Sequence, residues 1–299
     1  MDFIVSENFN NQYVCPLVLG IFGHNILYSI SPLIHNKLGN ILKLNLCYKK
    51  FDVNPDCFAE AFNGFKSLKL DGANITKPYK IEVMKYLDKF SKEAEIIGAV
   101  NTVKLDDNIY KGYNTDSYGF IKSVKYEFNF NLNNAKIIIL GAGGASKAVL
   151  YSLLKEGASG IHLINRDIEK AAQLVEAASE WNKYNKWNIK SLSYSNFISD
   201  IIKNKNVFNE CDLIVNTVTP SEESAKTILS LPFTELNKNS YAIDISYNPP
   251  ETPFMSIMRK NKIKTANGFS MLLFQAIESF YIWTGKKPSF DFVLDAIKL

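Results

Sequence analysis

The sequence predicts an α/β fold in two units, the second of them a βαβ series. Three observations carry that expectation. Short apolar runs alternate with segments of helical period through residues 1–116. The β-branched run Lys136–Leu140 suits a central parallel strand buried on both faces, and it leads straight into Gly141-Ala142-Gly143-Gly144-Ala145-Ser146. Further strand-like runs recur at Ile161–Asn165, Leu213–Asn216 and Tyr241–Ile245.

Taken in order, Val14–Phe22 is an apolar run broken by Pro16 and closed by Gly20 and Gly23, which predicts a buried strand. Ser31-Pro32 fits an N-cap followed by proline at the first helical position, leading into Leu33–Leu42. Cys47–Val53 alternates as a strand should, and Asp56–Leu68 has amphipathic helical spacing. Gly72–Thr76 predicts another strand, and Tyr79–Leu87 returns to helical period. Parallel strands with crossover helices are expected for this unit. From Ser117 a second unit begins, in which an Ala- and Leu-rich helix runs from the glycine turn to Lys155 and is broken by Gly157 and Gly160. The polar, Asn- and Lys-rich stretch Trp181–Lys205 predicts a surface loop and a short helix. Leu272–Trp283 predicts a helix ended by Gly285.

Composition narrows the function classes. With 299 residues, 46% of them hydrophobic and 21% charged, the chain has ample material for packed cores. A net charge of +4 with no basic stripe gives no support to nucleic-acid or membrane partners. No apolar run approaches the roughly 20 residues that span a bilayer, and the polar opening of the chain is not a secretory signal. Cys15, Cys47, Cys57 and Cys211 are scattered, as are His24, His35 and His162, so neither a metal site nor a disulfide framework is expected. A cytoplasmic protein is the expectation, as a monomer or homodimer. Only two of the 34 basic residues are arginines, Arg166 and Arg259. Each offers a fork of donors that lysine cannot copy.

The glycine run carries the cofactor reading. Gly141 permits the tight turn after the strand, and Gly143 lets the backbone approach a pyrophosphate closely. The N-terminus of the helix that follows, through Gly144 and Ala145, offers free N–H groups to the charge. Ser146 takes the third glycine position and is small enough for close helix–strand packing. Roughly 20 residues on, where an NAD-specific fold places an acidic residue, stands Asn165-Arg166. A guanidinium there suits a 2′-phosphate, so NADP is expected, although the carboxylate of Asp167 could either repel that phosphate or point away.

Polar groups also gather at three turns of the first unit. Ser29 and Ser31 stand two apart at a helix start. Gly72-Ala73-Asn74-Ile75-Thr76-Lys77-Pro78-Tyr79-Lys80 forms a second group. Gly98-Ala99-Val100-Asn101-Thr102, with Gly112-Tyr113-Asn114-Thr115-Asp116, forms the third. Taken singly, each reads as caps, Asx-turns or a solvated lysine.

Taken together, these segments resemble the shikimate dehydrogenase family, from Gly23 to Gly285. The family's GANxTxPxK pattern is met from Gly72 to Lys80, its NTD pattern at Asn114-Thr115-Asp116, its GAGGA turn at Gly141–Ala145 and its NR pair at Asn165-Arg166. Asp244-Ile245-Ser246-Tyr247 with Thr252-Pro253-Phe254 resembles its D-x-x-Y…TPF segment. Asn267-Gly268, Met271 and Gln275 resemble its NG-x-x-M-x-x-x-Q helix. The chain departs from the pattern at Asn25 and Tyr28, where proline and histidine are usual. It departs again at Thr217-Val218-Thr219-Pro220, where A-T-x-x-G follows the asparagine, and at Asp167, where threonine is common.

The resemblance implies a substrate domain over residues 1–116 and 267–299, a Rossmann domain over 117–266, and a C-terminal helical stretch returning to the first domain. It implies reversible reduction of 3-dehydroshikimate to shikimate by NADPH, with no metal, in aromatic amino acid biosynthesis. By position, Lys80 and Asp116 are the catalytic pair. Ser29 and Ser31, helped by Tyr247, hold the substrate carboxylate, and Thr76, Asn101 and Gln275 hold ring hydroxyls. Gly268 lies near the nicotinamide. The chemistry suits the pair, because the developing alkoxide needs a proton and an ammonium group both donates one and stabilises the oxyanion. Two rival readings remain open: a quinate/shikimate dehydrogenase with relaxed use of NAD and NADP, and a catalytically silent relative that senses the metabolite.

Overall fold

A computed structural model describes residues 15–185, 187, 189–196, 205–219, 228 and 230–298. Two six-stranded sheets are built one after the other along the chain. The first contains β1 (Leu17–Gly23), β2 (Leu46–Asp52), β3 (Gly72–Ile75), β4 (Lys89–Phe90), β5 (Thr102–Asp106) and β6 (Ile109–Tyr113), in the order β2-β1-β3-β5-β6-β4. Helices α1 (Ser31–Ile41), α2 (Phe58–Ser67) and α3 (Lys92–Ile97) connect them. Phe22, Phe58, Phe62, Phe65 and Tyr79 pack into an aromatic pile on this sheet.

The second sheet contains β7 (Lys136–Leu140), β8 (Gly160–Asn165), β9 (Ser191–Asn196), β10 (Leu213–Asn216), β11 (Tyr241–Asp244) and β12 (Lys264–Ala266). Its order is β12-β11-β10-β7-β8-β9, and every pairing is parallel. Along β7, Ile137 and Ile139 face one core while Ile138 and Leu140 face another, which is why the strand is apolar at consecutive positions. Around this sheet lie α5 (Gly144–Lys155), α6 (Ile168–Asn185), α7 (Lys205–Asn209) and α8 (Pro253–Lys260). The chain leaves β7 towards β8 on one side and reaches β10 on the other. That reversal opens a crevice at the carboxyl ends of β7 and β10, where open parallel sheets bind ligands.

Helix α4 (Asp116–Phe128) links the two sheets and packs on both α5 and α9 (Phe269–Thr284). Helices α9 and α10 (Phe290–Lys298) then return to the first sheet's side and pack on α1. The Trp283 indole donates to the Val103 carbonyl at 2.8 Å, and Gly285 ends α9 in the left-handed region as expected. No helix among the described residues is long and apolar enough to cross a membrane.

Four local expectations are corrected. Ser31 is the first residue of α1 and not its cap; the Ser29 hydroxyl accepts its N–H at 3.4 Å. Tyr79–Leu87 holds only a 3-10 turn, Glu82–Tyr86, because the Tyr79 ring is drawn inward to stack on Phe58 at 4.0 Å and its hydroxyl donates to the Val53 carbonyl. The first sheet is mixed: β5 runs antiparallel to both β3 and β6. Its hairpin turns through Asp107 and Asn108, both at positive φ, a conformation that residues of this type tolerate best. Finally, α6 extends through Asn185 and β9 follows at Ser191–Asn196, so much of the stretch read as loop is regular; residues 197–204 lie outside the described residues.

Two buried histidines set a pH dependence. His35 stacks on Tyr48 at 4.5 Å, neither ring nitrogen reaches a hydrogen-bond partner, and burial pulls its pKa down to about 3. His162 sits between the hydroxyls of Ser193 and Ser195, and burial lowers it to about 4. When unfolded, each titrates near its ordinary value of about 6.5. The unfolded state therefore binds more protons below that pH. Stability is complete above about pH 6.5 and falls as pH drops towards 4 and then 3, by up to about 1.4 kcal/mol per pH unit for each histidine. Urea midpoints should decline from pH 7 to pH 5, with a shallower slope in His35→Phe. A wild-type midpoint that does not move over this range contradicts the assignment.

Candidate active site

The site is built outward from the start of α4. Asp116 is the first residue of that helix, where the helix dipole favours a carboxylate, and its own N–H is held by the Asn114 side chain at 3.1 Å. Lys80 follows Tyr79, whose anchored ring fixes the local backbone, and the Lys80 carbonyl accepts from the Val100 N–H at 2.8 Å. These constraints bring Lys80 Nζ to 2.6 Å from Asp116 Oδ2. The lysine side chain is 20% exposed and the aspartate 8%. The other carboxylate oxygen, Oδ1, accepts from Asn101 Nδ2 at 2.8 Å.

Asn101 is the hub beneath the pair. Its Nδ2 also faces Thr115 Oγ1 at 2.9 Å and Gln275 Oε1 at 3.4 Å, and its Oδ1 accepts from the Thr115 N–H at 2.7 Å. Below it, Asn74 Nδ2 reaches Thr102 and Ser279, while Asn74 Oδ1 accepts from the Tyr48 hydroxyl at 2.7 Å. Asn74 lies inside the Gly72–Lys80 run, and Ser279 lies one helical turn beyond Gln275. That spacing is the one sequence signal for Ser279. For Tyr48 the sequence held no signal at all.

A cavity of about 190 Å³ lies over the pair. Ser29, Ser31, Thr76, Lys80, Asn101, Asp116, Tyr247, Gly268 and Gln275 all line it, so the structure brings every residue expected at the substrate together with the Lys80–Asp116 pair in one space. Tyr28 lines it as well, with its ring 6.5 Å from that of Tyr247. The Ser29 hydroxyl donates to Ser31 Oγ at 3.2 Å. Burial, reinforced by Tyr28, pushes the Tyr247 phenol up to about 12, which keeps it protonated and able to donate at neutral pH.

A larger cleft of about 560 Å³ adjoins this cavity, sharing Tyr28, Thr76, Lys80, Ala145, Ile245 and Tyr247 with it. Gly144 and Ala145 at the start of α5 line its second-sheet side, with Thr217 and Thr219. A Cβ added at Gly143 or Gly144 would meet nothing, so the turn presents bare backbone to open space, as a dinucleotide's phosphates require. At Gly141, φ is +104° and a Cβ would come 2.6 Å from Thr217 Oγ1, so the tight turn does need glycine. Ser146 is fully buried and accepts from the Gly143 N–H at 3.0 Å. Asn165 and Arg166 end β8 and start the turn beyond it, and the Asn165 side chain donates to the Asp167 carbonyl at 2.7 Å. The Asp167 carboxylate accepts the Lys170 N–H and pairs with its ammonium group at 3.2 Å. These contacts hold its pKa below the usual value, and its charge is engaged at the start of α6. Ala142 follows Gly141 in the same turn and packs against the second sheet's core. Pro220 lies outside the described residues. Among the described residues, no group of three or more His, Cys, Asp or Glu side chains could hold a metal ion.

Comparison with known proteins points the same way. The family described as shikimate dehydrogenase substrate binding domain matches residues 21–103, shikimate / quinate 5-dehydrogenase matches 122–246, and the shikimate 5′-dehydrogenase C-terminal domain matches 268–298. The shikimate dehydrogenase (NADP(+)) of Caldanaerobacter subterraneus subsp. tengcongensis is 41% identical over 283 residues, covering 94% of this chain and 96% of its own. The crystal structure of shikimate dehydrogenase from Aquifex aeolicus superposes with a TM-score of 0.80 at 33% identity, covering 95% of this chain and 98% of its own. The Listeria monocytogenes shikimate 5-dehydrogenase, solved in complex with shikimate and NAD, gives a TM-score of 0.82 at 28% identity, covering 94% of this chain and 96% of its own.

The Asn101 hub yields a stability test. Asn101→Ala leaves the Thr115 N–H and the Thr102 hydroxyl without their shared acceptor and Asp116 Oδ1 without its donor. Unfolding free energy from urea titration should drop by about 2–3 kcal/mol, the cost of stranding buried polar groups. An unchanged midpoint would remove Asn101 from the centre of the network.

Proposed function

The chain belongs to the shikimate dehydrogenase family, and from that premise we propose that it reduces 3-dehydroshikimate reversibly to shikimate with NADPH. The observation that carries this reading is the Lys80–Asp116 contact at 2.6 Å, lining a small polar cavity that opens into the cleft beside the glycine turn. Residues 1–116 with 267–299 form the substrate unit in this reading, and 117–266 the cofactor unit. Four free cysteines are in keeping with a cytoplasmic enzyme.

NADP fits the cleft: Gly143 and Gly144 present open backbone at the N-terminus of α5, Gly141, Ala142 and Ala145 complete the turn, and Asn165 with Arg166, at the end of β8, are the groups assigned here to the 2′-phosphate. When bound, the cofactor supplies the hydride. Everything else falls to this chain. Ser29, Ser31 and the protonated Tyr247 phenol are donors for a carboxylate, and Thr76 and Gln275 are placed to hold ring hydroxyls. Asn101 lines the same cavity, but its amide is committed to Asp116 and Thr115, so it meets substrate chiefly by orienting that carboxylate. Lys80 gives its proton to the carbonyl oxygen as negative charge develops there, and Asp116 holds the ammonium group in line and accepts from the hydroxyl formed. In the direction of shikimate oxidation the roles reverse: the neutral amine of Lys80, its own proton released to water, takes the hydroxyl proton as the hydride leaves, and Asp116 accepts a hydrogen bond from the ammonium group so formed.

With shikimate as substrate, absorbance at the reduced-nicotinamide band should grow faster with NADP than with NAD, and quinate should be turned over far less efficiently. Equal efficiency with quinate overturns the substrate choice. Lys80→Ala should cut kcat by about 10²–10⁴-fold with the fold intact, the usual range for a lost acid–base group. Near-normal kcat in that variant takes Lys80 out of the mechanism.

A further inference from the structure

Asp244 belongs to no role described so far. It is the last residue of β11 and has no exposed surface, yet it carries a carboxylate. A charge taken out of water needs hydrogen bonds at each oxygen to be tolerated. Asp244 has them: Oδ2 accepts from Asn216 Nδ2 at 2.8 Å and from Thr252 Oγ1 at 2.7 Å, and Oδ1 accepts from the Ser246 N–H at 2.9 Å. An amide, a hydroxyl and a peptide N–H are all neutral donors, so these contacts supply no countercharge.

Each donor belongs to a different stretch of chain. Asn216 ends β10, and its Oδ1 accepts the Val218 N–H at 3.2 Å, which shapes the loop carrying Thr217 and Thr219. Ser246 lies between Ile245 and Tyr247, both of which line the substrate cavity and the cleft. Thr252 caps α8 through the Met255 N–H and closes the loop that began at Ile245. On its far side that loop is held by Gly268, whose N–H donates to the Ser246 carbonyl at 3.0 Å and whose missing side chain leaves room for the Ile245 carbonyl. One carboxylate thus ties together the loops after β10 and β11 and the head of α8.

We propose that Asp244 is a positioning residue: it fixes the wall of the cleft that faces the nicotinamide half of the cofactor and carries Tyr247 to the substrate. The proposal rests on the cofactor and substrate reading given above. Asparagine cannot take over. With its oxygen towards Asn216 and Thr252, its NH₂ meets the Ser246 N–H donor to donor; turned over, it meets the Asn216 NH₂. Either way one loop is released while the side-chain volume is kept.

The test compares Asp244→Asn, Thr252→Val and Thr252→Ser with wild type, each normalised to its folded fraction by circular dichroism. Asp244→Asn should lower kcat for shikimate by about 10- to 100-fold, the scale expected when reacting groups drift by about an ångström. It should also lose most of the emission enhancement of bound NADPH, which reports an ordered nicotinamide. The Kd for NADPH should change far less than kcat, because Arg166 lies beyond β8 and the Thr217 bond to the Leu140 carbonyl, which braces the glycine turn, does not pass through Asp244. Thr252→Val should shift kcat and emission in the same direction by less, and Thr252→Ser should restore both. If wild type fails to oxidise shikimate while Asp244→Asn still loses emission, the substrate reading falls and the positioning role stands. Wild-type kcat and emission in Asp244→Asn, or losses that only track the folded fraction, overturn the proposal.

Discussion

One short ion pair governs the layout of the cleft. For Lys80 and Asp116 to meet at 2.6 Å, the turn after β3 and the start of α4 just beyond β6 must lie at the same end of the first sheet, as the antiparallel pairing of both strands with β5 ensures. Neither backbone is free to drift. The lysine backbone is anchored through Tyr79 and Val100, and the aspartate is fixed at a helix N-terminus by Asn114 and Asn101. Preorganisation of this kind lets an acid–base group act without first paying to be ordered.

The polar layer below the pair explains why so many amides and hydroxyls are buried here. Tyr48, Asn74, Asn101, Thr102, Thr115 and Ser279 are all nearly or fully buried, and each has its partners within the layer. Such a network adds little net stability when satisfied, but it is costly to break, so it holds one geometry firmly. It also joins β2, β3, β5, α4 and α9. The C-terminal helices therefore belong to the active site as much as to the core: Gln275 and Ser279 reach the network from α9, while Trp283 on the same helix locks onto β5.

How much of this was legible in sequence follows from what each signal encodes. Four of the second sheet's six strands were legible, because a strand buried on both faces leaves a dense β-branched run and the glycine turn marks where it ends; β9, within the stretch read as loop, and the three-residue β12 were not. The first sheet was less so. Its antiparallel hairpin rests on a two-residue turn, Asp107-Asn108, too brief to stand out from the surrounding polar residues, and Tyr79–Leu87 has helical period because its aromatic and apolar groups pack inward from a 3-10 turn. The residues that line the candidate site stand in motifs that sequence shows, but their wiring was not legible. Asn101 and Asp116 are neighbours only because β5 and β6 pair and return the chain, a fact of register that no local pattern carries. Tyr48 belongs to the same class: its hydroxyl's partner, Asn74, lies on a different strand 26 residues along the chain.

The departures from the family pattern become intelligible once those partners are known. Ser146 stands at the third glycine position and Thr217 begins the unusual loop after Asn216, and their hydroxyls lie 2.6 Å apart. Thr217 donates to the Leu140 carbonyl and Ser146 accepts from the Gly143 N–H, so the remaining proton must run from Ser146 to Thr217. The result is a single directed chain from the glycine turn, through two side chains, back to the end of β7. A lone hydroxyl at either position would be buried with its bonding incomplete; the pair is satisfied. Asp167 is reconciled differently, by spending its charge on the first turn of α6 and on Lys170, next to the Arg166 that a 2′-phosphate would need. Thr217 and Asp167 are thus each matched by a local partner, and the Lys80–Asp116 geometry is left undisturbed.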